Sequence, residues 1–333
     1  MNDYMSGINL FNIYLTNSCQ RNCSFCYNKK DKQYSLDINV LKKFYEWFSE
    51  HSKASISVRL SGGDPLLYDH IDNVLEYFRG KIIGVAGNPH TINDKNIKIL
   101  KDNGVKRFAL SLDGPLQLHD HNRGKGDFLL TMEKVKLLNE NGFRVILSHI
   151  ISKKSIDYLE ETMDIASKAS PVIFNPGLLI PMDGNTENII TLNQHQDLFM
   201  RIWKKYCLIK KDIPDFQIRL RCEYWKPFFE ALGVPFEISS NILMGCRIYK
   251  NWIIKENGDL QICSKLPIPF FNIYSDKWDK DLLNQRVSML LDRSKYECFL
   301  LKKCRFSEDC FGCPAFSFMI KGNMFLKDPL CPL

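Results

Sequence analysis

Nowhere in this 333-residue chain does an apolar run approach the roughly 20 residues that a membrane-spanning helix needs. The opening stretch, MNDYMSG, lacks a basic segment followed by an apolar one, so it does not read as an export signal. Internal repeats and low-complexity tracts are missing as well, which excludes a repeat architecture. A cytoplasmic protein without membrane contact is the expectation these absences leave. Cysteine is absent from residue 27 to residue 206, a gap that random burial of small apolar side chains would not leave.

Outside that gap cysteine is plentiful, with twelve in the chain. In a reducing cytoplasm thiols are not held as disulfides, so their abundance points to metal ligation or catalysis. Cys19, Cys23 and Cys26 fall within eight residues, seven more lie between Cys246 and Cys331, and Cys207 and Cys222 stand between the two groups.

Short strands alternate with amphipathic helices from about residue 8 to 180. Strands are predicted at 10–15, 56–61, 81–86, 107–112, 143–150 and 171–176. Between them Leu41, Phe44 and Phe48 repeat at helical spacing. So do Phe128, Met132, Val135 and Leu138, and then Ile156, Leu159, Met163 and Ala166. Asp37, Asn93 and Ser155 precede three helices as expected caps. Strand, helix, strand at this spacing implies right-handed crossovers and a parallel α/β sheet, and six such units suit an open partial barrel. Within it Ile56, Val58, Leu60, Phe108, Leu110 and Leu112 are expected to face the helices. Ser57, Arg59, Ser61, Ser111 and Asp113 would then line a cavity at the strand ends where ligands bind. The expected division is a barrel over 1–180, a bridging region over 181–240 and a cysteine-rich domain over 241–333. A helix is predicted at 193–209, and 253–262 reads as a hairpin turning at Asn257-Gly258.

Cys19, Cys23 and Cys26 follow the first strand directly. Three thiolates in one tight loop can hold three corners of an iron–sulfur cubane and leave the fourth iron open. Structural zinc is the rival, but it wants a fourth ligand, and the nearest histidine, His51, lies well outside the loop. The C-x3-C-x2-C spacing, with Phe25 before the last cysteine, resembles the radical S-adenosylmethionine (SAM) superfamily. That resemblance implies a partial (β/α)6 barrel and a catalytic [4Fe-4S] cluster on the three cysteines. It also implies SAM chelated to the open iron and cleaved, on one-electron reduction, to methionine and a 5′-deoxyadenosyl radical that takes hydrogen from a substrate.

Further segments fit the same family. Ser61-Gly62-Gly63-Asp64-Pro65 resembles its GGE-type turn, which contacts the methionine amino group, with Asp64 in place of the usual glutamate. Ser111-Leu-Asp-Gly114-Pro, continuing to His119-Asp120 and Arg123, resembles members that also carry a SPASM domain, such as anaerobic sulfatase maturases. There Ser111 would lie near the SAM ribose and Arg123 would partner a carboxylate; the bland alternative is a polar strand end with a surface arginine. No role is read for the histidines.

Cys246-x11-Gly258-x4-Cys263 is similar to the opening of the SPASM signature, followed by Cys298, Cys304, Cys310, Cys313 and Cys331. The spacing departs from the family pattern between Cys298 and Cys304 and between Cys310 and Cys313. By resemblance Cys246, Cys263 and Cys313 would hold one auxiliary cluster, and Cys298, Cys304, Cys310 and Cys331 a second. That leaves Cys222 as an eighth ligand, a hydrogen donor or a buried thiol. A zinc ribbon is the alternative for this region.

The formal charge of +7 is reduced by about four or five if three such clusters are bound, so no nucleic-acid partner is expected. The residual excess is local, with Arg201, Lys204, Lys205, Lys210, Lys211, Arg219, Arg221 and Lys226 against Asp212, Asp215 and Glu223. It reads as a solvated face or a surface for an acidic substrate. The leading functional expectation is a maturase that modifies a ribosomally made peptide or protein. It would work with a one-electron reductant such as flavodoxin or ferredoxin. With Cys19 so early in the chain, a separate leader-peptide-binding protein is the expected route to peptide recognition. The alternatives are a small-molecule (aminosugar-type) dehydrogenase or epimerase, with Cys222 or Cys207 as hydrogen donor, and a non-enzymatic zinc or iron–sulfur binding protein.

Overall fold

The computed structural model describes residues 3–23, 25, 26, 28, 32–182, 184–220, 248–300, 310 and 312–331, with the backbone alone for 196. Each expected strand forms: β1 (Leu10–Tyr14), β2 (Ser57–Ser61), β3 (Ile82–Ala86), β4 (Arg107–Ser111), β5 (Arg144–Ile151) and β6 (Val172–Leu178). The helices between them are α1 (Ile38–Ser52), α2 (Ile71–Tyr77), α3 (Asp94–Asp102), α4 (Leu116–Arg123), α5 (Asp127–Glu140) and α6 (Leu159–Lys168). Then come α7 (Leu192–Asp212), β7 (Gln217–Ile218), β8 (Asn251–Ile254), β9 (Asp259–Gln261), β10 (Pro269–Asn272), α8 (Lys280–Leu291) and α9 (Pro314–Lys321). One sheet runs β10-β9-β8-β1-β2-β3-β4-β5-β6-β7. It is parallel from β8 to β7, with β9 and β10 antiparallel at the far edge.

The alternation read from the sequence sorts the two faces. Val58, Leu60, Phe108, Leu110 and Leu112 are buried with Phe44 and Phe48 of α1 and Val135 and Leu138 of α5, while Ser57, Arg59, Ser61 and Ser111 stay half-buried on the other face. Asp37 caps α1 by accepting from the Asn39 and Val40 amides, and Asn93 caps α3 through the Asn96 amide. Ser155 caps nothing. Its hydroxyl donates back to the Ile150 carbonyl (2.8 Å) and accepts from the Ser152 amide, closing the turn after β5.

Part of the basic stretch is structural. Arg201 on α7 binds Glu160 of α6 through two 2.6 Å contacts, and Lys205 binds Asp164 at 2.6 Å. Those two cations are committed between helices. Residues 181–220, expected within a bridging region, supply α7 and β7 to the barrel edge.

The chain beyond residue 247 is knitted into the same sheet, since β8 lies parallel beside β1 from Leu10↔Asn251 to Ile13↔Ile254. The hairpin turns at Gly258, whose φ of +86° favours glycine and where a Cβ would stand 2.3 Å from the Tyr274 ring. The Tyr274 hydroxyl in turn accepts from the Asp37 amide at the start of α1 (2.7 Å).

Candidate active site

After β1 the chain is zipped to its own return limb. The Leu36 amide donates to the Leu15 carbonyl (2.8 Å), and the Asn17 side chain bonds the Tyr34 amide and the Lys32 carbonyl. The loop with Cys19, Cys23 and Cys26 projects between the limbs, at the strand ends where parallel α/β sheets bind ligands. Gly62 and Gly63 press against it from β2. The Gly63 amide donates to the Thr16 carbonyl and the Asp64 amide to the Ser18 carbonyl, both at 2.7 Å. A Cβ at Gly62, whose φ is +133°, would lie 2.3 Å from the Thr16 oxygen, and one at Gly63 2.2 Å from the Ser18 oxygen. The paired glycines thus let backbone meet backbone beneath the cysteines. Asp64 turns inward. Its carboxylate is fully buried, accepts from the Thr91 hydroxyl (2.7 Å) and the Leu66 amide (3.1 Å), and burial raises its pKa.

Each of the first two thiols has N–H donors. Cys19 Sγ accepts from Asn88 Nδ2 (3.3 Å) and the Arg21 amide (3.5 Å); Cys23 Sγ accepts from Arg123 Nη1 (3.8 Å). Burial pushes the Cys23 thiol up, and Arg123 opposes that by favouring the thiolate. Cys26 is exposed. Arg123 also forks onto Asp113 (2.6 and 3.1 Å) and packs over the Phe25 ring at 5.5 Å. Phe25, Cys23 and Arg123 are therefore one assembly, and Arg123 is no isolated surface arginine.

Four participants in this assembly were not read from the sequence. Arg21, inside the cysteine loop, is buried; it donates to the Arg123 carbonyl (2.6 Å) and pairs with buried Asp127 of α5. His119 accepts the Asp113 amide on Nδ1 (3.1 Å) and donates from Nε2 to Asp127 (3.0 Å). Burial lowers its pKa to about 4, so it is a neutral strut. A charged residue between two closely spaced cysteines was the available signal for Arg21. Asp127, His119 and Asn88 carried none, because their partners are remote in sequence.

Ser111, at the end of β4, stands in register with Ser148 of β5 and, one strand further, Asn175 of β6. Asn175 Nδ2 donates to Ser148 Oγ at 3.3 Å. This polar row continues the half-buried inner face. On the opposite flank Lys255, just past β8, reaches the loop. Its Nζ lies 4.4 Å over the Tyr14 ring and 3.3 Å from both Asn28 Oδ1 and Glu256 Oε2.

An iron–sulfur cluster fits the loop. The donor set is three thiols on one short segment, two of them receiving N–H bonds that favour thiolate sulfur, over a glycine cradle. Among the described residues no three His, Cys, Asp or Glu side chains converge on a single metal ion. A cluster does not ask for that convergence, since each thiolate binds a different iron.

In the C-terminal part, Cys263 Sγ accepts from the Lys265 amide (3.4 Å) and Cys310 Sγ from the Gly312 amide (3.2 Å). Buried Asp328 bonds the Cys313 amide and the Leu330 amide, each at 2.8 Å, and its carbonyl takes the Cys331 amide at 3.0 Å. It thereby ties the segment of Cys310 and Cys313 to that of Cys331. Cys298 lies in a helical turn whose Glu297 accepts from the Lys327 amide (2.7 Å), against the same segment. Cys222, Cys246 and Cys304 lie outside the described residues. Cys207 sits on α7, past the Lys205–Asp164 pair and toward the end of α6 from which β6 starts. That is the opposite end of the strands from the cysteine loop, which removes Cys207 from the hydrogen-donor role.

Comparison with known proteins agrees with this geometry. The family model described as the radical SAM superfamily matches residues 13–166, a span that takes in the cysteine loop, the glycine turn and the end of β4. The sporulation killing factor maturation protein SkfB of Bacillus subtilis is 24% identical over 274 residues, covering 79% of this chain but only 62% of SkfB. An AdoMet-dependent heme synthase of Methanosarcina barkeri is 21% identical over 340 residues, covering 95% of this chain and 94% of that protein. The crystal structure of Streptococcus suis SuiB bound to precursor peptide SuiA superposes with a TM-score of 0.75 at 19% identity, covering 98% of this chain and 76% of SuiB. Among the described residues no helix is long and apolar enough to cross a membrane. The segment from Ile13 to Ala166, built around the three-cysteine loop, is thus a radical SAM domain.

Proposed function

We propose that the protein binds a [4Fe-4S] cluster on Cys19, Cys23 and Cys26, cleaves SAM reductively, and modifies a peptide or protein by hydrogen abstraction. The observation that carries this reading is the cysteine loop itself. It is held at the sheet's ligand-binding end, with N–H donors on the Cys19 and Cys23 sulfurs and backbone packed on Gly62 and Gly63 beneath. When bound, the cluster supplies one electron to SAM, yielding methionine and a 5′-deoxyadenosyl radical. The chain's own part is to position and shield. Arg123 and Asn88 stabilise thiolate charge, Arg21 anchors the loop to α5, and Ser111, Ser148 and Asn175 offer a polar inner wall for the nucleoside end of SAM. Changing Cys19, Cys23 and Cys26 together to alanine should abolish 5′-deoxyadenosine formation under dithionite. Persistence of that product would overturn the reading.

A peptide substrate is supported by the names of SkfB, a maturation protein, and of SuiB, captured with its precursor peptide. A small-molecule substrate is supported by the heme synthase, which matches almost end to end. Deuterium transfer into 5′-deoxyadenosine from a labelled peptide, against transfer from a labelled small molecule, separates the two. The electron would come from a flavodoxin- or ferredoxin-type reductant. A separate leader-binding protein is the partner proposed for peptide recognition.

The proposed division is a barrel over 1–180, a bridge over 181–240 whose α7 and β7 extend the barrel edge, and a SPASM-type domain over 241–333 joined to the sheet through β8. Auxiliary clusters would sit on Cys246, Cys263 and Cys313 and on Cys298, Cys304, Cys310 and Cys331, with Cys222 as eighth ligand or hydrogen donor. Anaerobically reconstituted protein should then hold well over about four irons per chain with matching sulfide. Stoichiometric zinc in place of that excess would remove the auxiliary clusters. Cys222→Ala separates its two roles: lost iron marks a ligand, lost product with full iron a donor.

A further inference from the structure

Two charged side chains of the β8–β9 turn, Lys255 against the cysteine loop and Glu256 paired with Lys255, are used by none of the roles above. Lys255 continues the row in which β8 lies beside β1, which places it next to Tyr14 at the end of the strand that launches the loop. Its side chain is 14% exposed, its ammonium lies over the Tyr14 ring at 4.4 Å, and it donates to Asn28 Oδ1 at 3.3 Å. Asn28 belongs to the loop, and its carbonyl accepts from Cys26 Sγ at 3.7 Å. Glu256, 8% exposed, sets Oε2 3.3 Å from the Lys255 ammonium. Cys23 meets Arg123, from α4, on the opposite flank.

We propose that Lys255 is a positioning residue for the cysteine loop, holding its Cys26 side through Asn28 and making the cluster bound there easier to reduce, with Glu256 as the opposing charge. The inference rests on the reading that Cys19, Cys23 and Cys26 hold that cluster. Its physical basis is that the potential of an iron–sulfur cluster follows nearby net charge and the surroundings of its sulfurs. A cation beside the loop stabilises the added electron; a carboxylate opposes it. At an effective dielectric of about 20, one unit charge within roughly 10 Å changes a one-electron equilibrium by about tenfold. The two residues must therefore act in opposite directions, a pattern that loss of packing does not produce.

The test uses the full-length protein, reconstituted anaerobically as wild type, Lys255→Gln, Lys255→Arg and Glu256→Gln, and titrated with redox mediators. The N-terminal cluster is followed by the electron paramagnetic resonance signal that changes on SAM addition and disappears in the variant with Cys19, Cys23 and Cys26 all changed to alanine. At the potential that half-reduces the wild type, Lys255→Gln should lower the reduced-to-oxidised ratio about tenfold. Glu256→Gln should raise it, and Lys255→Arg should stay near wild type, all with wild-type iron content. Shifts in the same direction for the two glutamine variants, or no shift in either, overturn the inference. If Lys255→Gln fails to accumulate, Glu256→Gln decides it, and an unchanged or lowered ratio overturns it. A wild type with no SAM-responsive signal dependent on the three cysteines would instead bring down the cluster reading itself.

Discussion

Arg21 lies between two cysteines in a loop, yet its side chain is only 5% exposed because it is paired with Asp127, itself 2% exposed. A buried pair of this kind contributes little over an apolar pair of the same volume, but breaking it strands a charge. Arg21→Met should therefore cost about 3–5 kcal/mol and reduce iron held by the loop, whereas Arg21→Met with Asp127→Asn, which removes the stranded charge and keeps an acceptor for His119, should recover part of the loss. Denaturant unfolding and iron analysis of the two proteins check this. His119 adds a pH dependence. Its folded value of about 4 lies below the ordinary 6.5, so the unfolded chain binds the extra proton between those limits. Its contribution is complete above pH 6.5 and is lost as pH falls toward 4. From pH 7 to 5.5 the wild type should lose about 1 kcal/mol more stability than His119→Gln, measured by denaturant midpoints at each pH.

At the scale of elements, the α6–α7 pair shows how a charge pattern is misjudged when its partners are unknown. Arg201 and Lys205 read as surplus cations along one segment, but the acids that meet them, Glu160 and Asp164, lie on the preceding helix. These pairs are half-exposed, so each contributes well under about 1 kcal/mol. The N-terminus of α7 matters more. Thr191 and Gln194 form a reciprocal capping box in which the Thr191 hydroxyl takes the Gln194 amide and the Gln194 side chain takes the Thr191 amide. Thr191→Ala should cost about 1 kcal/mol, and a double-mutant cycle on Arg201 and Glu160 should return a smaller coupling, both from chemical denaturation. The caps Asp37 and Asn93 were legible because capping is local. Ser155 had the same residue type before a helix but spent its hydroxyl on the preceding strand, a choice set by how β5 ends.

For the whole molecule, the decisive contact is β8 against β1. It makes the C-terminal region a structural part of the barrel sheet and covers the edge of the strand that launches the cysteine loop. Trp252 of β8 is fully buried, edge-on to Phe48 of α1 at 5.6 Å and to Phe270 of β10 at 5.0 Å. A chain ending at residue 220 would expose that apolar surface and the unpaired edge of β1. It should aggregate or self-associate where the full chain does not, as size-exclusion chromatography with light scattering would show.

The sequence by itself determined what depends on neighbours along the chain. Strand and helix periods, the caps at Asp37 and Asn93, the turn at Asn257-Gly258 and the spacing of Cys19, Cys23 and Cys26 are local patterns, legible without a partner. The glycines at 62 and 63 were legible as a close approach but not as an approach to Thr16 and Ser18. Only the tertiary structure brought Arg21 to Asp127, Asn88 to Cys19, Asp328 to the Cys313 segment and Lys255 to the loop. It also decided that the Asp64 carboxylate turns inward. These contacts join residues from 15 to over 200 positions apart, and parallel pairing through crossovers leaves no trace of register in the sequence on either side.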